Sequence, residues 1–236
     1  MYSRKLIAVE ETFVMRVHEF SASISGELAM EEEMIVLYQS INSLLCGMQN
    51  KVIQFMGSRE GEGTSTIVRE FAMTTVLKYS KSVLLLDADF HKPAHHPFFN
   101  IKSEHSLEET IIEDEPVDKA LYQVANSSLF LSQFFQDSDS ACQLLESPGI
   151  VELWEKLKRF DFIVIDSPPA TPFSLGLATS SLVTGVVLVM EAEKTRWPVA
   201  KKITDRIVSN GGKVLGVVFN KQRYYIPAFI FKLLWP

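Results

Sequence analysis

The stretch VIQFMGSREGEGTSTIVREFA (residues 52–72) joins an apolar run to a helical pattern through a glycine-rich loop. The glycines at 61 and 63 allow successive backbone N–H groups to curl around an anion, and a following helix N-terminus adds partial positive charge. Ser65 stands where a hydroxyl would reach Mg²⁺. A plain strand-to-helix turn that uses glycine for a positive φ would give a similar pattern. The stretch therefore predicts either a phosphate site or a simple turn.

Five short apolar runs have the pattern of buried strands, and helical patterns lie between them. The runs are VIQFM, VLLLDAD, FIVID, GVVLVM and VLGVVFN, at residues 52–56, 83–89, 162–166, 185–190 and 214–220, with SLFLSQ (128–133) as a candidate sixth. They are nearly continuous rather than alternating, as is typical of a parallel sheet with both faces covered. In residues 64–79, apolar side chains recur on one helical face. Strands that alternate with helices predict a three-layer, doubly wound, mostly parallel α/β sheet.

The two ends of the chain differ from this alternating pattern. ELAMEEEMIVLYQSINSLL (residues 27–45) has a helical pattern without strands, so we assign residues 1–50 to an N-terminal helical arm and residues 51–222 to the α/β domain. Residues 223–236 are an apolar C-terminal tail. This tail is too short to cross a membrane. It either packs on the domain or lies on a membrane surface or a partner.

Composition limits the classes of function. The 236-residue chain has a formal net charge of −6, which argues against a nucleic-acid partner. Its N-terminus has charges through its apolar portion, unlike a signal peptide, and no apolar run approaches the roughly 20 residues that span a bilayer. Cys46 and Cys142 have no ligand-like neighbours, which fits two core residues in a reducing compartment. We therefore expect a cytoplasmic protein whose membrane contact goes through a partner or a surface helix.

Acidic residues end two of the predicted strands. Asp87 and Asp89 close one strand, and Asp166 closes another. The carboxyl ends of strands line the ligand crevice of an open α/β sheet, so we expect the three carboxylates to converge near the glycine loop. The alternative is that each acid only caps the turn that follows it.

The order of these motifs resembles that of the bacterial tyrosine kinases (BY-kinases). These are P-loop kinases of capsule and exopolysaccharide synthesis that are related to the partitioning ATPases. The likeness covers about residues 31–225. The three motifs of those kinases typically read PGEGKST, DADLRKP and IDTPP. The chain keeps GEG, ST, DAD, KP, ID and PP, together with His96, Phe99, KTR (residues 194–196) and the ending NKQRYYIP.

This resemblance implies an ATP or ADP site with Mg²⁺. The loop residues that would contact the nucleotide are Arg59, Gly61, Glu62, Gly63, Thr64, Ser65 and Thr66. Ser65, Asp87 and Asp166 would hold the metal, and either Asp87 or Asp89 would be the base that accepts the tyrosine hydroxyl proton. The candidate phosphoacceptors are Tyr224 and Tyr225.

The chain departs from the kinase pattern where the pattern carries positive charge. Thr64 stands where the loop lysine (Walker A) would clamp the β- and γ-phosphates, and His91 replaces the arginine of DADLRKP. The Glu, Arg and Arg that join subunits in the kinase arm become Glu32, Ile35 and Tyr38. A charge-assisted hydrogen bond contributes about 1.5–3 kcal/mol, so we expect ATP affinity to fall by about one to two decades.

Two further sets of residues bear on the site. Arg59 lies five residues before Thr64, where partitioning ATPases carry a second lysine. It either supplies the missing cation or is a solvated loop arginine. The adjacent His95 and His96 would point to opposite sides of an extended stretch, so we do not assign them to a metal site.

Three functions remain open at this point. The first is a kinase-like regulatory or scaffold protein of polysaccharide export that binds ATP weakly. It would dock on the tail of a membrane chain-length (co-polymerase) protein, and whether it is a monomer or a homo-oligomer is left open. The second is an active tyrosine autokinase in which Arg59 or a partner supplies the cation. The third is a partitioning-type ATPase that dimerises on ATP.

Overall fold

A computed structural model describes residues 12–18, 30–147, 149–171 and 174–222 of the chain. The strands in these ranges are β1 (Phe13–His18), β2 (Lys51–Gly57), β3 (Val83–Asp87), β4 (Tyr122–Gln123), β5 (Leu129–Gln133), β6 (Phe162–Ser167), β7 (Gly185–Glu191) and β8 (Val214–Gln222). The helices are α1 (Glu31–Leu44), α2 (Thr64–Tyr79), α3 (His95–Phe98), α4 (Leu107–Ile112), α5 (Ser138–Glu146), α6 (Gly149–Lys156), α7 (Leu175–Thr179) and α8 (Trp197–Ser209). The candidate phosphoacceptors Tyr224 and Tyr225, and the apolar tail, lie outside the described residues.

The strands form one sheet in the order β1-β8-β7-β2-β6-β3-β5-β4. All the neighbouring pairs are parallel except β4 with β5. The central strands β2, β3 and β6 are buried along almost their whole length, which explains their continuous apolar sequences. The predicted doubly wound, mostly parallel α/β fold is confirmed.

Two helical layers cover the sheet. On one face, α1 and α2 pack over side chains such as Phe55 and Phe162. On the other face, the helices from α4 to α8 pack over the alternate side chains of the same strands, including Ile163 and Leu188. Successive strand residues point to opposite faces, so each central strand contributes to both cores.

The assigned N-terminal arm contains an edge strand, β1, that the apolar pattern did not predict. β1 pairs in parallel with β8 at the edge of the sheet, where Phe13 lies opposite Gly216. A Cβ on Gly216 would lie 2.4 Å from the carbonyl oxygen of Phe13, so glycine allows the close approach. Met15 and Val17 are buried while Val14 is 56% exposed. A search for continuous apolar runs overlooks such a strand, because only one of its faces is covered.

Helix α1 of the predicted arm packs directly on α2. Tyr38 is only 6% exposed, and its ring stacks on that of Tyr79 with centroids 3.6 Å apart. Glu31 forms an ion pair of 2.6 Å with Lys78 at the same contact. Position 38, where the resemblance would place an arginine that joins subunits, therefore packs within the fold. The division of the chain at residue 50 stays a prediction.

Both cysteines lie on the surface of the fold. Cys46 and Cys142 are free and exposed, so the prediction that both are core residues is wrong. Cys46 lies in the turn after α1, and Cys142 lies on the outer side of α5. None of the helices in the described ranges is long and apolar enough to cross a membrane.

Candidate nucleotide site

A cavity of about 420 Å³ opens at the carboxyl ends of β2 and β6. It is lined by the glycine loop and the first residues of α2, by Asp89 and Lys92 after β3, and by Asp166 at the end of β6. The predicted site residues that line it are Arg59, Gly61, Gly63, Thr64, Ser65, Thr66, Asp89 and Asp166. Among the predicted site residues that the structure describes, Glu62 and Asp87 are the two outside the lining.

The glycine loop has the backbone conformation that its sequence requires. Gly61 and Gly63 have φ angles of +79° and +88°, and Gly63 is the N-cap residue of α2. A Cβ at position 63 would lie 2.2 Å from Nδ2 of Asn220, whereas nothing lies within 4 Å of one at position 61. The Asn220 amide donates to the carbonyl oxygen of Glu62, at 2.8 Å. The loop therefore needs glycine for its φ at both positions and for space at one.

Glu62 supports the loop from behind instead of lining the cavity. Its side chain is fully buried, and its carboxylate accepts hydrogen bonds from the backbone N–H groups of Ser58, Arg59 and Glu191. The hydroxyls of Ser58 and Thr195 donate to the same carboxylate. Glu62 therefore connects the loop to the end of β7 by hydrogen bonds. Since its side chain is buried, only its backbone could make the predicted contact with a nucleotide.

The cavity lacks a free lysine at the position that the motif leads us to expect. Thr64, the first residue of α2, lines the cavity and carries no charge. The cations that line the described cavity are Arg59 and Lys92, and both are already paired. Arg59 Nη2 lies 3.2 Å from a Glu191 carboxylate oxygen, and Lys92 Nζ lies 2.6 Å from a Glu60 oxygen.

Two of the three predicted acids face the cavity. Asp166 ends β6, and Asp89 follows β3, the strand next to it in the sheet. The Asp89 carboxylate also accepts the backbone N–H groups of His91 and Lys92, at 3.2 and 3.1 Å. Asp89 therefore both caps the turn that follows it and lines the cavity.

Asp87 lies behind the cavity and is only 1% exposed. Its carboxylate accepts the backbone N–H groups of Asp89, Ala94 and His95 at 3.3, 2.8 and 3.2 Å. Burial raises the pKa of Asp87 from 3.8 to about 6, with the nearby Asp166 acting in the same direction. His95 and the two N–H donors of residues 94 and 95 oppose this rise. Two of the three carboxylates therefore face the cavity as expected, while the third, that of Asp87, binds N–H groups of the turn behind them.

The two histidines lie on a short helix, α3, and not on an extended stretch as expected. Both are buried, but in different surroundings. His95 Nε2 lies 2.9 Å from an Asp166 oxygen, and sequence reasoning gave no sign of this contact. His96 packs edge-on against Tyr122, and burial lowers its pKa to about 4.

The donors that line the cavity fit Mg²⁺. Hydroxyl oxygens come from Ser65 and Thr66, and carboxylate oxygens come from Asp89 and Asp166. Hard cations prefer such oxygens, and Mg²⁺ is usually held by one or two carboxylates together with phosphates and waters. Within the described ranges, no group of three or more His, Cys, Asp or Glu residues could hold a metal by itself. The set therefore suits a metal that enters with a phosphate ligand.

Comparison with known proteins agrees with this geometry. Residues 48–229 match the ParA family described as NUBPL iron-transfer P-loop NTPases. The chain belongs to this ParA family of P-loop NTPases. The tyrosine-protein kinase YwqD of Bacillus subtilis is 25% identical over 176 residues, 74% of each protein. The succinoglycan biosynthesis transport protein ExoP of Rhizobium meliloti is 27% identical over 184 residues, which are 76% of this chain and 23% of ExoP.

Solved structures share the fold of this ParA-type chain. The chimerical protein CapA2B2 superposes with a TM-score of 0.78 at 21% identity, covering 91% of this chain and 96% of the other. The septum site-determining protein MinD of Pyrococcus horikoshii, in complex with Mg-ADP, superposes with a TM-score of 0.59 at 18% identity, covering 78% and 77%. The resemblance to bacterial tyrosine kinases and to ParA-type ATPases is therefore confirmed, while the roles of individual site residues stay predictions.

Proposed function

We propose that this chain is a kinase-like protein of exopolysaccharide or capsule biosynthesis that binds Mg-nucleotide weakly and acts as a regulatory or scaffold subunit. Its curated relatives include a tyrosine-protein kinase and a succinoglycan transport protein. The observation that carries the proposal is Thr64 at the start of α2, in a cavity whose cations are paired with acids. Phosphoryl transfer relies on preorganised positive charge around the phosphates, which threonine does not provide.

The proposed nucleotide would lie along the loop from residue 59 to residue 66. Backbone N–H groups around Gly61 and Gly63, with the N-terminus of α2, would bind its phosphates. Ser65 and Asp166 would hold Mg²⁺, which would neutralise phosphate charge. Of the two candidate bases, we favour Asp89 over Asp87, because Asp89 lines the cavity.

We also propose that the chain works on the inner face of the membrane without entering it. Its partner would be the cytoplasmic tail of a membrane chain-length protein. The fold match to a CapA2B2 chimera and the similarity to ExoP support this choice. Self-association through the arm would be weak, because Tyr38 is buried against α2 instead of presenting an arginine.

A genetic complementation separates a scaffold from a working kinase. In a strain that lacks the chain, wild type and Asp89→Asn would restore polysaccharide export equally if the chain is a scaffold. A matched control, Asp118→Asn, changes an exposed acid on the Val117–Ala120 turn outside the cavity lining. Export that is lost in Asp89→Asn but kept in the control, with equal protein levels, would contradict the scaffold role.

The second candidate is an active autokinase, which the position of Arg59 favours. Arg59 lines the cavity, and its guanidinium lies 3.2 Å from the carboxylate of Glu191 at the end of β7. Incubation with labelled ATP, followed by mass spectrometry at Tyr224 and Tyr225, tests this function. Robust phosphate incorporation that disappears in Arg59→Ala would establish the autokinase in place of the scaffold.

The third candidate, a partitioning-type ATPase, is favoured by the ParA family match over residues 48–229. It would require ATP-dependent dimerisation on DNA or lipid. The net charge of −6 disfavours DNA binding. Light scattering with and without ATP, in the presence of duplex DNA or anionic vesicles, distinguishes it from the first two functions.

A further inference from the structure

His95 contacts Asp166 through its imidazole and Asp87 through its backbone N–H. Its imidazole is fully buried, and Nε2 lies 2.9 Å from Asp166 Oδ2. A carboxylate that binds a metal is ionised and can only accept a hydrogen bond, so with metal bound Nε2 would be the donor of this contact. The side chain of Asp166 is only 4% exposed, yet the residue lines the cavity. The histidine therefore approaches Asp166 from the protein interior.

The backbone around His95 is itself held in place by Asp87. The Asp87 carboxylate accepts the N–H groups of Ala94 and His95, at 2.8 and 3.2 Å. Asp87 and Asp166 lie side by side in the register of β3 and β6. A chain of contacts thus runs from the end of β3 through α3 to the end of β6. It fixes the position of the imidazole relative to Asp166.

A carboxylate at the end of a strand can rotate about its side-chain bonds unless a partner holds it. A hydrogen bond to one oxygen removes this freedom and leaves the second oxygen available as a ligand. Groups that hold a metal ligand in this way typically change metal affinity by about 10- to 100-fold when they are removed. The histidine that the chain shares with the kinase motif is His96, so the resemblance gives His95 no role.

We propose that His95 is a positioning residue for Asp166, which it holds in the orientation that the metal of the nucleotide site requires. The proposal rests on the nucleotide site proposed above. His96 provides a matched control: it is adjacent, lies on the same helix and is also buried. Neither of its ring nitrogens has a hydrogen-bond partner among the described residues.

Binding of Mn²⁺ together with ADP, followed by electron paramagnetic resonance, tests the proposal. Mn²⁺ replaces Mg²⁺ at oxygen sites and reports metal binding without any turnover. The measurements are made in the Thr64→Lys background, where a restored lysine favours nucleotide binding. We expect His95→Leu to weaken Mn²⁺ binding by about 10-fold. His95→Gln, which keeps an N–H donor at similar reach, should recover most of the loss, and His96→Leu should bind Mn²⁺ as the parent does.

Three results would overturn the proposal. They are equal Mn²⁺ affinity in His95→Leu and the parent, no recovery in His95→Gln, and an equal loss in His96→Leu. If His95→Leu does not fold, as judged by circular dichroism in EDTA, His95→Phe replaces it as the variant without a donor. Absence of Mn²⁺-ADP binding in the Thr64→Lys parent would refute the nucleotide site itself, and this inference with it. Binding in the parent that is unchanged in His95→Leu would refute the inference alone.

Discussion

Replacement of Thr64 by lysine tests the central claim about the nucleotide site. The residue begins α2 and lines a cavity of about 420 Å³, so a lysine side chain has room to reach a bound phosphate. A hydrogen bond between an ammonium and a phosphate contributes about 1.5–3 kcal/mol, which corresponds to about 10- to 150-fold in affinity. A cation at a helix N-terminus lowers stability by about 0.3–1 kcal/mol. The nearby Asp89 and Asp166 carboxylates offset part of that loss.

Isothermal titration calorimetry with Mg-ADP measures this gain without interference from hydrolysis. We expect Thr64→Lys to bind Mg-ADP at least about 10-fold more tightly than wild type, with a smaller difference at high salt because screening weakens the new contact. Thr64→Met is the matched control, since it adds a side chain of similar length without charge. It should bind no more tightly than wild type.

Two outcomes would refute the reasoning behind this prediction. Submicromolar binding by wild type would mean that the cavity already has an effective cation. Equal gains in Thr64→Lys and Thr64→Met would mean that side-chain volume matters and charge does not. In the first case, loss of binding in Arg59→Ala would identify the substitute, because Arg59 lines the same cavity.

Three further variants test how the site is built. Gly61→Ala should lower the free energy of unfolding by about 1–2 kcal/mol, which is the usual cost of a left-handed residue. Gly63→Ala should lower the free energy of unfolding further, because its Cβ would lie 2.2 Å from Asn220 Nδ2. Equal losses for the two variants in urea denaturation would contradict this difference. Glu62→Gln should lower the free energy of unfolding by about 1–3 kcal/mol, because at least one buried backbone N–H loses its acceptor. An unchanged urea midpoint would be inconsistent with a supporting role of Glu62 in the loop. The folded chain holds the Asp87 proton more tightly than the unfolded chain does, so this group lowers stability as pH rises from about 4 to about 6, by about 3 kcal/mol in total. Asp87→Asn should flatten the pH profile of unfolding in that window, and parallel profiles for the two proteins would disprove the raised pKa.

The sheet could be predicted from sequence because its central strands are buried on both faces. The runs at 83–89 and 162–166 are apolar at nearly every position up to their closing acids, and the structure places both in the middle of the sheet. The edge strands β1 and β4 escaped prediction for the opposite reason. β1 is covered on one face only, and β4 has two residues, so neither forms a continuous apolar run.

The candidate site was predictable in its backbone but not in the direction of its side chains. The glycine spacing predicted the loop, and the strand-end acids predicted the edge of the sheet where the cavity lies. Glu62 and Asp87 point inward because the fold brings N–H groups near their carboxylates. For Glu62, one of these groups belongs to Glu191, which is 129 residues away in sequence. For Asp87, they belong to the turn into α3. No local pattern reports contacts of this kind.

The loop keeps its shape through groups that belong to the chain itself. The Glu62 carboxylate accepts the N–H groups at its start, and Asn220 and Lys221 from the end of β8 bind the carbonyl oxygens of Glu62 and Gly61. None of these contacts involves position 64 or a bound phosphate. The loop conformation and the fold around it therefore do not depend on a lysine at position 64, whereas efficient phosphoryl transfer, in our proposal, does. This separation of shape from charge supports the scaffold role that we propose.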